Sequence, residues 1–261
     1  MIFIPYFLDK KIMGIEKPFK RNVRPFIDGK YDSSRNWKYI LHKDYVNAPI
    51  HYIRAYLVLQ KDFLELLDYI EPADINLKTY SFRIHSLFSR ICMEIEANFV
   101  AILSENEYRK QGNWNIDDFK KVNETHHLSS YIVKLPVWKG EGETRRPFED
   151  WANGKSLTWY RAYNKCKHNR SLEFEKANFE HLTDAICALI ALLSSQFLEY
   201  DYSPLYYTLS AGNEVNDDTE STIGNYFRVK YPKDWTVNEI YTFKWDDIKD
   251  VANPIDTIKY K

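Results

Sequence analysis

A chain of 261 residues with 44% apolar and 28% charged side chains can bury a sizeable core under a wetted surface, which excludes a disordered or fibrous polymer. Its net charge of −1 excludes a uniformly basic nucleic-acid coat, and its 8 glycines leave little for a glycine-rich phosphate cradle. Aromatics stand out at 16%, with 20 Tyr and 7 Trp, a composition that serves loop packing or contact with partners.

Charge is unevenly spread. Between Lys10 and Lys43, Lys10, Lys11, Lys17, Lys20, Arg21, Arg24, Lys30, Arg35, Lys38 and Lys43 face only Glu16, Asp28 and Asp32. Residues 1–48, punctuated by Pro5, Pro18 and Pro25, therefore read as an irregular basic arm. Such an arm is a solvated loop or a contact for a polyanion. Beyond Glu199 the balance turns acidic through Asp201, Glu214, Asp217, Asp218 and Glu220, which read as a solvated turn. Cys92, Cys166 and Cys187 are odd in number and widely spaced, the pattern of reduced thiols in a cytoplasmic protein. Met1–Leu8 is interrupted by Pro5 and lacks the basic leader of a secretion signal, and the apolar run Ala185–Leu193 is too short to span a bilayer. No membrane role is expected.

A first helix is predicted from about Pro49 to Ile70, with Ile53, Leu57, Leu64 and Leu67 as its stripe, widened by Tyr52, Tyr56, Leu59, Phe63 and Leu66. A second, from about Thr79 to Glu105, carries Ile84, Leu87, Phe88, Ile91, Ile95, Phe99 and Ile102 at three- and four-residue steps. Residues 106–155 interrupt the pattern as an insertion. It is expected to hold a short helix near Ile116–Asn123, a strand near Tyr131–Leu135 and a turn around Lys139–Thr144. A third helix is expected to start at Ser156 as N-cap and to end near His168 or Asn169. A fourth, from about Ser171 to Tyr200, is apolar on nearly all sides in its later part, as a central helix is. Short strands at Leu205–Leu209, Tyr226–Tyr231 and Ile240–Trp245 read as a hairpin-like addition in residues 201–261. The simplest burial scheme is a mainly α protein: a four-helix bundle over residues 49–200 with short peripheral strands.

The third helix carries the chemistry. Seven residues apart, Arg161 and His168 lie within about 20° on a helix surface, with Asn164 and Lys165 between them. An RNA strand is cut without a metal when its 2′-hydroxyl attacks the adjacent phosphate. That step needs a group that moves protons, the task of imidazole, and a cation on the phosphoryl oxygens, the task of the guanidinium fork. Asn164 is placed to orient the imidazole or a phosphate oxygen, and Lys165, Lys167 and Arg170 to hold flanking phosphates. The plainer reading is a helix end: His168 favours the negative end of the dipole and Asn169 acts as a left-handed cap. The same spacing sets a limit. Seven residues separate the two groups by roughly 10 Å along the axis, so one helix does not close them on one atom, and a symmetric second copy would.

The segment WYRAYNKCKHNR, Trp159 to Arg170, followed by Phe174-Glu175-Lys176-Ala177-Asn178 and an apolar helix, resembles prokaryotic members of the HEPN superfamily (higher eukaryotes and prokaryotes nucleotide-binding domains). Its signature is an Arg followed at a gap of four to six by a His, and Arg161 and His168 match the longest gap. The residue after the Arg is commonly polar in active members; here it is Ala162. The resemblance covers roughly residues 49–200. It implies a four-helix bundle, a homodimer, and metal-independent endoribonuclease activity without a cofactor. It also implies a role as toxin or phage-defence effector with an antitoxin or operon partner. In such proteins the second bundle helix often supplies a polar residue near the Arg, which points to Glu94 and Glu96 as supporting groups. The rival reading is a non-catalytic dimeric interaction or nucleotide-binding module.

Weaker signals have structural explanations. Gly154-Lys155-Ser156 is a helix entry rather than the end of a phosphate loop. Glu124, His126 and His127 read as a surface loop, not a metal site, and His85 and His181 as core or boundary residues.

Overall fold

The computed structural model describes residues 14–31, 36–198 and 218–261. The protein is mainly helical with a small antiparallel sheet. Helix α1 (Pro49–Leu67) starts with proline in its first turn behind a left-handed Ala48. It buries Ile53, Tyr56, Leu59, Phe63 and Leu66, whereas Leu57, Leu64 and Leu67 are only half-buried. Its inward face is thus the partly aromatic line flanking the expected leucine stripe.

Helix α2 (Phe82–Glu105) buries the seven apolar residues whose spacing predicted it. It starts later than Thr79, because Ser81 caps it by accepting from the Ile84 amide at 3.1 Å. Thr79 and Tyr80 are extended instead, the Thr79 carbonyl accepting from the Phe179 amide at 2.8 Å and Tyr80 bridging to Asn178.

Helix α3 (Ile116–His126) is closed by a reciprocal capping box of Asn115 and Asp118. Strand β1 (Ile132–Lys134), strand β2 (Thr144–Arg145) and the single turn α4 (Glu149–Ala152) complete the insertion. Helix α5 (Thr158–His168) is followed at once by the one-turn α6 (Arg170–Glu173) and by α7 (Phe179–Phe197). The fourth helix therefore does not run from Ser171; Asn178 caps α7 through the His181 amide at 3.1 Å. From Ala185 to Phe197 every residue of α7 is buried, the central position its all-round apolarity predicted. Helix α2 packs on α1, α5 and α7, and α5 packs on α7.

Strands β3 (Glu220–Ser221) and β4 (Arg228–Lys230) join the insertion in one sheet of order β2-β1-β4-β3. Val133 pairs with Val229 and both point into the core, while their neighbours face outward, as the two-residue repeat of a strand requires. The expected strand Ile240–Trp245 does not pair with β4, whose antiparallel partners are β1 and β3 instead. Tyr241 makes only single bridges to Ile15 and Phe26, and Trp245 opens a further turn, α8 (Trp245–Ile248). Leu205–Leu209 and Asp217 lie outside the described residues.

The described part of the basic arm is buried over residues 21–26, while Lys30, Lys38 and Lys43 are exposed as a solvated arm requires. Arg21 is 0% exposed, pairs with Glu105 at 2.8 Å, donates to Gln196 Oε1 at 2.7 Å and lies 4.4 Å over the Tyr52 ring. Arg24 donates to Asn22 at 2.6 Å and to the Thr125 carbonyl at 3.2 Å. A buried guanidinium needs acceptors, and the folded chain brings Gln196 and Glu105 to Arg21 from far away in sequence, while Arg21 Nε has no hydrogen-bond partner among the described residues. The expected loop at Glu124–His127 is also corrected. His126 is buried against the Arg21 carbonyl at 2.8 Å, and burial pushes its pKa down to about 3, so it is neutral. His127 stacks on Trp235 at 3.9 Å between Asp234 and Glu239. Cys92, Cys166 and Cys187 are buried free thiols. Among the described residues no helix is long and apolar enough to cross a membrane.

Candidate functional site

Helix α5 enters differently from expectation. Gly154, at φ +71°, ends the α4 turn, and Leu157 rather than Ser156 occupies the cap position, with no side-chain cap bond. Buried Leu157 anchors the entry by packing instead.

Trp159, Ala162, Tyr163 and Cys166, at helical steps, face inward with Tyr160. The Trp159 indole donates to the Pro147 carbonyl at 2.8 Å, and the Cys166 thiol to the Glu173 carbonyl at 3.1 Å. Ala162, next to Arg161, is buried in the core.

The opposite face holds the cations. Arg161, Lys165, Lys167 and His168 are exposed and Asn164 is half-buried. Arg161, Asn164, Lys165 and His168 form one stripe open to solvent. Among the described residues neither Arg161 nor His168 makes a side-chain hydrogen bond or ion pair. Lys167 lies 5.2 Å over the Tyr163 ring. Other cations are spent: Arg90 on Asp62, Lys110 on Asp118, Arg145 on Asp184 and Lys176 on Glu173. Asn169 is not a left-handed cap; its φ is −143°, and α6 starts directly behind it.

The two glutamates separate. Glu96 meets α5, accepting from the Tyr160 hydroxyl at 2.8 Å, and burial together with this carboxylate raises the pKa of Tyr160. Glu94 faces the other way, into a groove shared with His51, Arg54 and Val58 of α1, and among the described residues its carboxylate accepts only from Asn98, at 3.1 Å. Burial outweighs that bond and pushes its pKa up to about 7. It does not support Arg161. Two helix positions differ by about 200°, so Glu94 and Glu96 cannot both face α5.

An aromatic cluster beside α6 escaped the sequence reading. Arg170 sits 6.0 Å over the Phe82 ring, and Phe174 packs on Phe82, Tyr80 and His85 at 4.7, 5.8 and 5.6 Å. The signal was present as Tyr80-Ser81-Phe82, with Ser81 as the cap; starting the helix at Thr79 hid it.

Among the described residues no three His, Cys, Asp or Glu side chains gather as a metal-ligand set. Compared with known proteins, the chain matches no family model, no curated protein and no solved structure.

Proposed function

We propose that this protein is a metal-independent endoribonuclease of the HEPN type, acting as a homodimer in the cytoplasm. The observation that carries the proposal is the α5 stripe: Arg161 and His168 are exposed and unengaged on a surface where many other cations are neutralised. In this reading His168 takes the 2′-hydroxyl proton as the 2′-oxygen bonds to phosphorus. The P–O5′ bond breaks to leave a 2′,3′-cyclic phosphate, the imidazolium returns the proton to the departing 5′-oxygen, and Arg161 stabilises the charge that builds on the phosphoryl oxygens. Asn164, Lys165, Lys167 and Arg170 position the strand through its backbone. Glu96, through Tyr160, sets the seat of α5 and is a positioning residue.

Because roughly 10 Å of helix rise separates Arg161 from His168, in this reading each centre combines the Arg161 of one copy with the His168 of the other. A role as toxin or phage-defence effector restrained by an antitoxin or operon partner follows from the same resemblance.

The test is incubation of single-stranded RNA with wild type, His168→Ala and Arg161→Ala in the presence of a chelator. Cleavage that survives the chelator and is lost in both variants supports the assignment. Equal cleavage by wild type and His168→Ala removes the imidazole from the reaction.

A further inference from the structure

Large apolar side chains crowd the surface where α6 meets the start of α2. Phe82 is 71% exposed and Tyr80 52%. Scattered exposed apolar residues need no explanation, but rings clustered in mutual contact do. Phe174 forms the floor, with Tyr80 edge-on at 5.8 Å and Phe82 tilted at 4.7 Å.

The cluster is preorganised by backbone bonds. The Thr79 carbonyl accepts from the Phe179 amide at 2.8 Å and the Leu77 carbonyl from the Glu180 amide at 2.9 Å. On the other side His181 Nδ1 meets the Lys176 carbonyl at 2.7 Å, tying down the turn that carries Phe174. Rings placed this way lose little freedom when a flat ligand stacks on them.

The charge beside the rings is positive. Arg170 makes no hydrogen bond or ion pair among the described residues; its guanidinium lies 6.0 Å over Phe82. Two residues before it in the chain stands His168, at most roughly 8 Å away between Cα atoms. The nearby acids are countered, Glu180 by Lys78 and Glu173 by Lys176, with Glu175 the exposed exception. Exposed π-faces alternating with unneutralised cations are the chemistry that binds single-stranded nucleic acid, in which bases stack and phosphates follow the charge. A purely apolar partner surface would gain nothing from the unpaired Arg170.

The geometry points to Phe82 and Tyr80, floored by Phe174 and flanked by Arg170, as a stacking platform for unpaired RNA bases a few nucleotides from the phosphate that the α5 stripe engages. This inference rests on the nuclease reading for its ligand, and it adds a base-binding subsite outside the α5 stripe, one that needs free base faces and so does not engage a duplex.

Affinity is measured in the His168→Ala background with fluorescein-labelled RNA of about 12 nucleotides, single-stranded and as a duplex. Phe82→Ala and Tyr80→Ala are expected to weaken single-strand binding at least about fivefold each and to leave duplex binding unchanged. Phe82→Trp restores or tightens it, and Phe82→Leu, which keeps apolar area without a π-face, behaves like Phe82→Ala. The high exposure of Phe82 makes loss of folding an unsuitable explanation, and circular dichroism of each variant checks this. Unchanged single-strand affinity, an equal loss on duplex, or no RNA binding by the parent protein overturns the platform. So does a shift in sedimentation mass with unchanged RNA affinity, which marks the patch as a protein interface. His168-dependent cleavage by wild type with no effect of Phe82→Ala on affinity sinks the platform and leaves the nuclease standing. Aromatic-dependent binding without His168-dependent cleavage does the reverse.

Discussion

Replacing Glu94 with Gln isolates what it costs to keep a carboxylate in the groove between α1 and α2. Burial moves the pKa of Glu94 from an ordinary 4.5 to about 7, against the opposing bond from Asn98. At about 1.36 kcal/mol per pH unit the difference is about 3 kcal/mol in a dry site; the groove is open to water, so we expect about 1–2 kcal/mol. The sign follows from proton binding. An acid whose pKa is raised by folding is held protonated more firmly in the native state than in the unfolded chain. The stability it lends is present below pH 4.5 and is lost as pH rises through about 7. Glutamine mimics the protonated acid and still accepts from Asn98 through its carbonyl. Glu94→Gln should therefore be more stable than wild type by about 1–2 kcal/mol at pH 8 and nearly equal to it at pH 4.5. Urea denaturation at the two pH values measures this, provided the slopes agree. His51 and the cations Arg54 and Arg90 line the same groove, so a His51→Gln background isolates the contribution of Glu94. An equal change at both pH values, or a loss of stability at pH 8, refutes the burial argument.

Three further outcomes follow from the packing and the stripe. Glu105→Ala leaves the buried Arg21 guanidinium without its carboxylate and should cost about 3 kcal/mol in chemical denaturation; a change below about 1 kcal/mol means that the arm is not anchored by this pair. Leu189→Ala, at the fully buried centre of α7, should cost about 2–5 kcal/mol by the same measurement, and a smaller cost contradicts a central α7. If each catalytic centre draws Arg161 from one copy and His168 from the other, mixing Arg161→Ala and His168→Ala chains should restore about a quarter of the wild-type cleavage rate; no recovery after subunit exchange shows that both groups act within one chain.

Much of the helical part could be read from local periodicity. The spacing Ile84, Leu87, Phe88, Ile91 and Ile95 predicts the buried face of α2, and the all-round apolarity of Ala185–Leu193 predicts a helix with no wet side. The α5 stripe was legible for the same reason. Inward Trp159, Tyr163 and Cys166 leave Arg161, Lys165 and His168 outside, whatever the rest of the chain does. The opposed directions of Glu94 and Glu96 were also legible, since 100° per residue separates them; treating both as supports for Arg161 overlooked this.

Only tertiary structure decided which charges are dry and which strands meet. Arg21 reads as one more cation of a solvated arm until Glu105 and Gln196, distant in sequence, close around it. β1 joins β4 across nearly a hundred residues, and no pattern of alternation in either strand names its partner. Tyr80 and Phe82 become one platform with Phe174 because the start of α7 pairs with the chain ahead of α2. Periodicity is a property of neighbours along the chain and sets which face of an element is apolar. The partner of each face, and the acceptors that make a buried charge tolerable, come from long-range contacts whose free energy exists only once the chain has closed on itself.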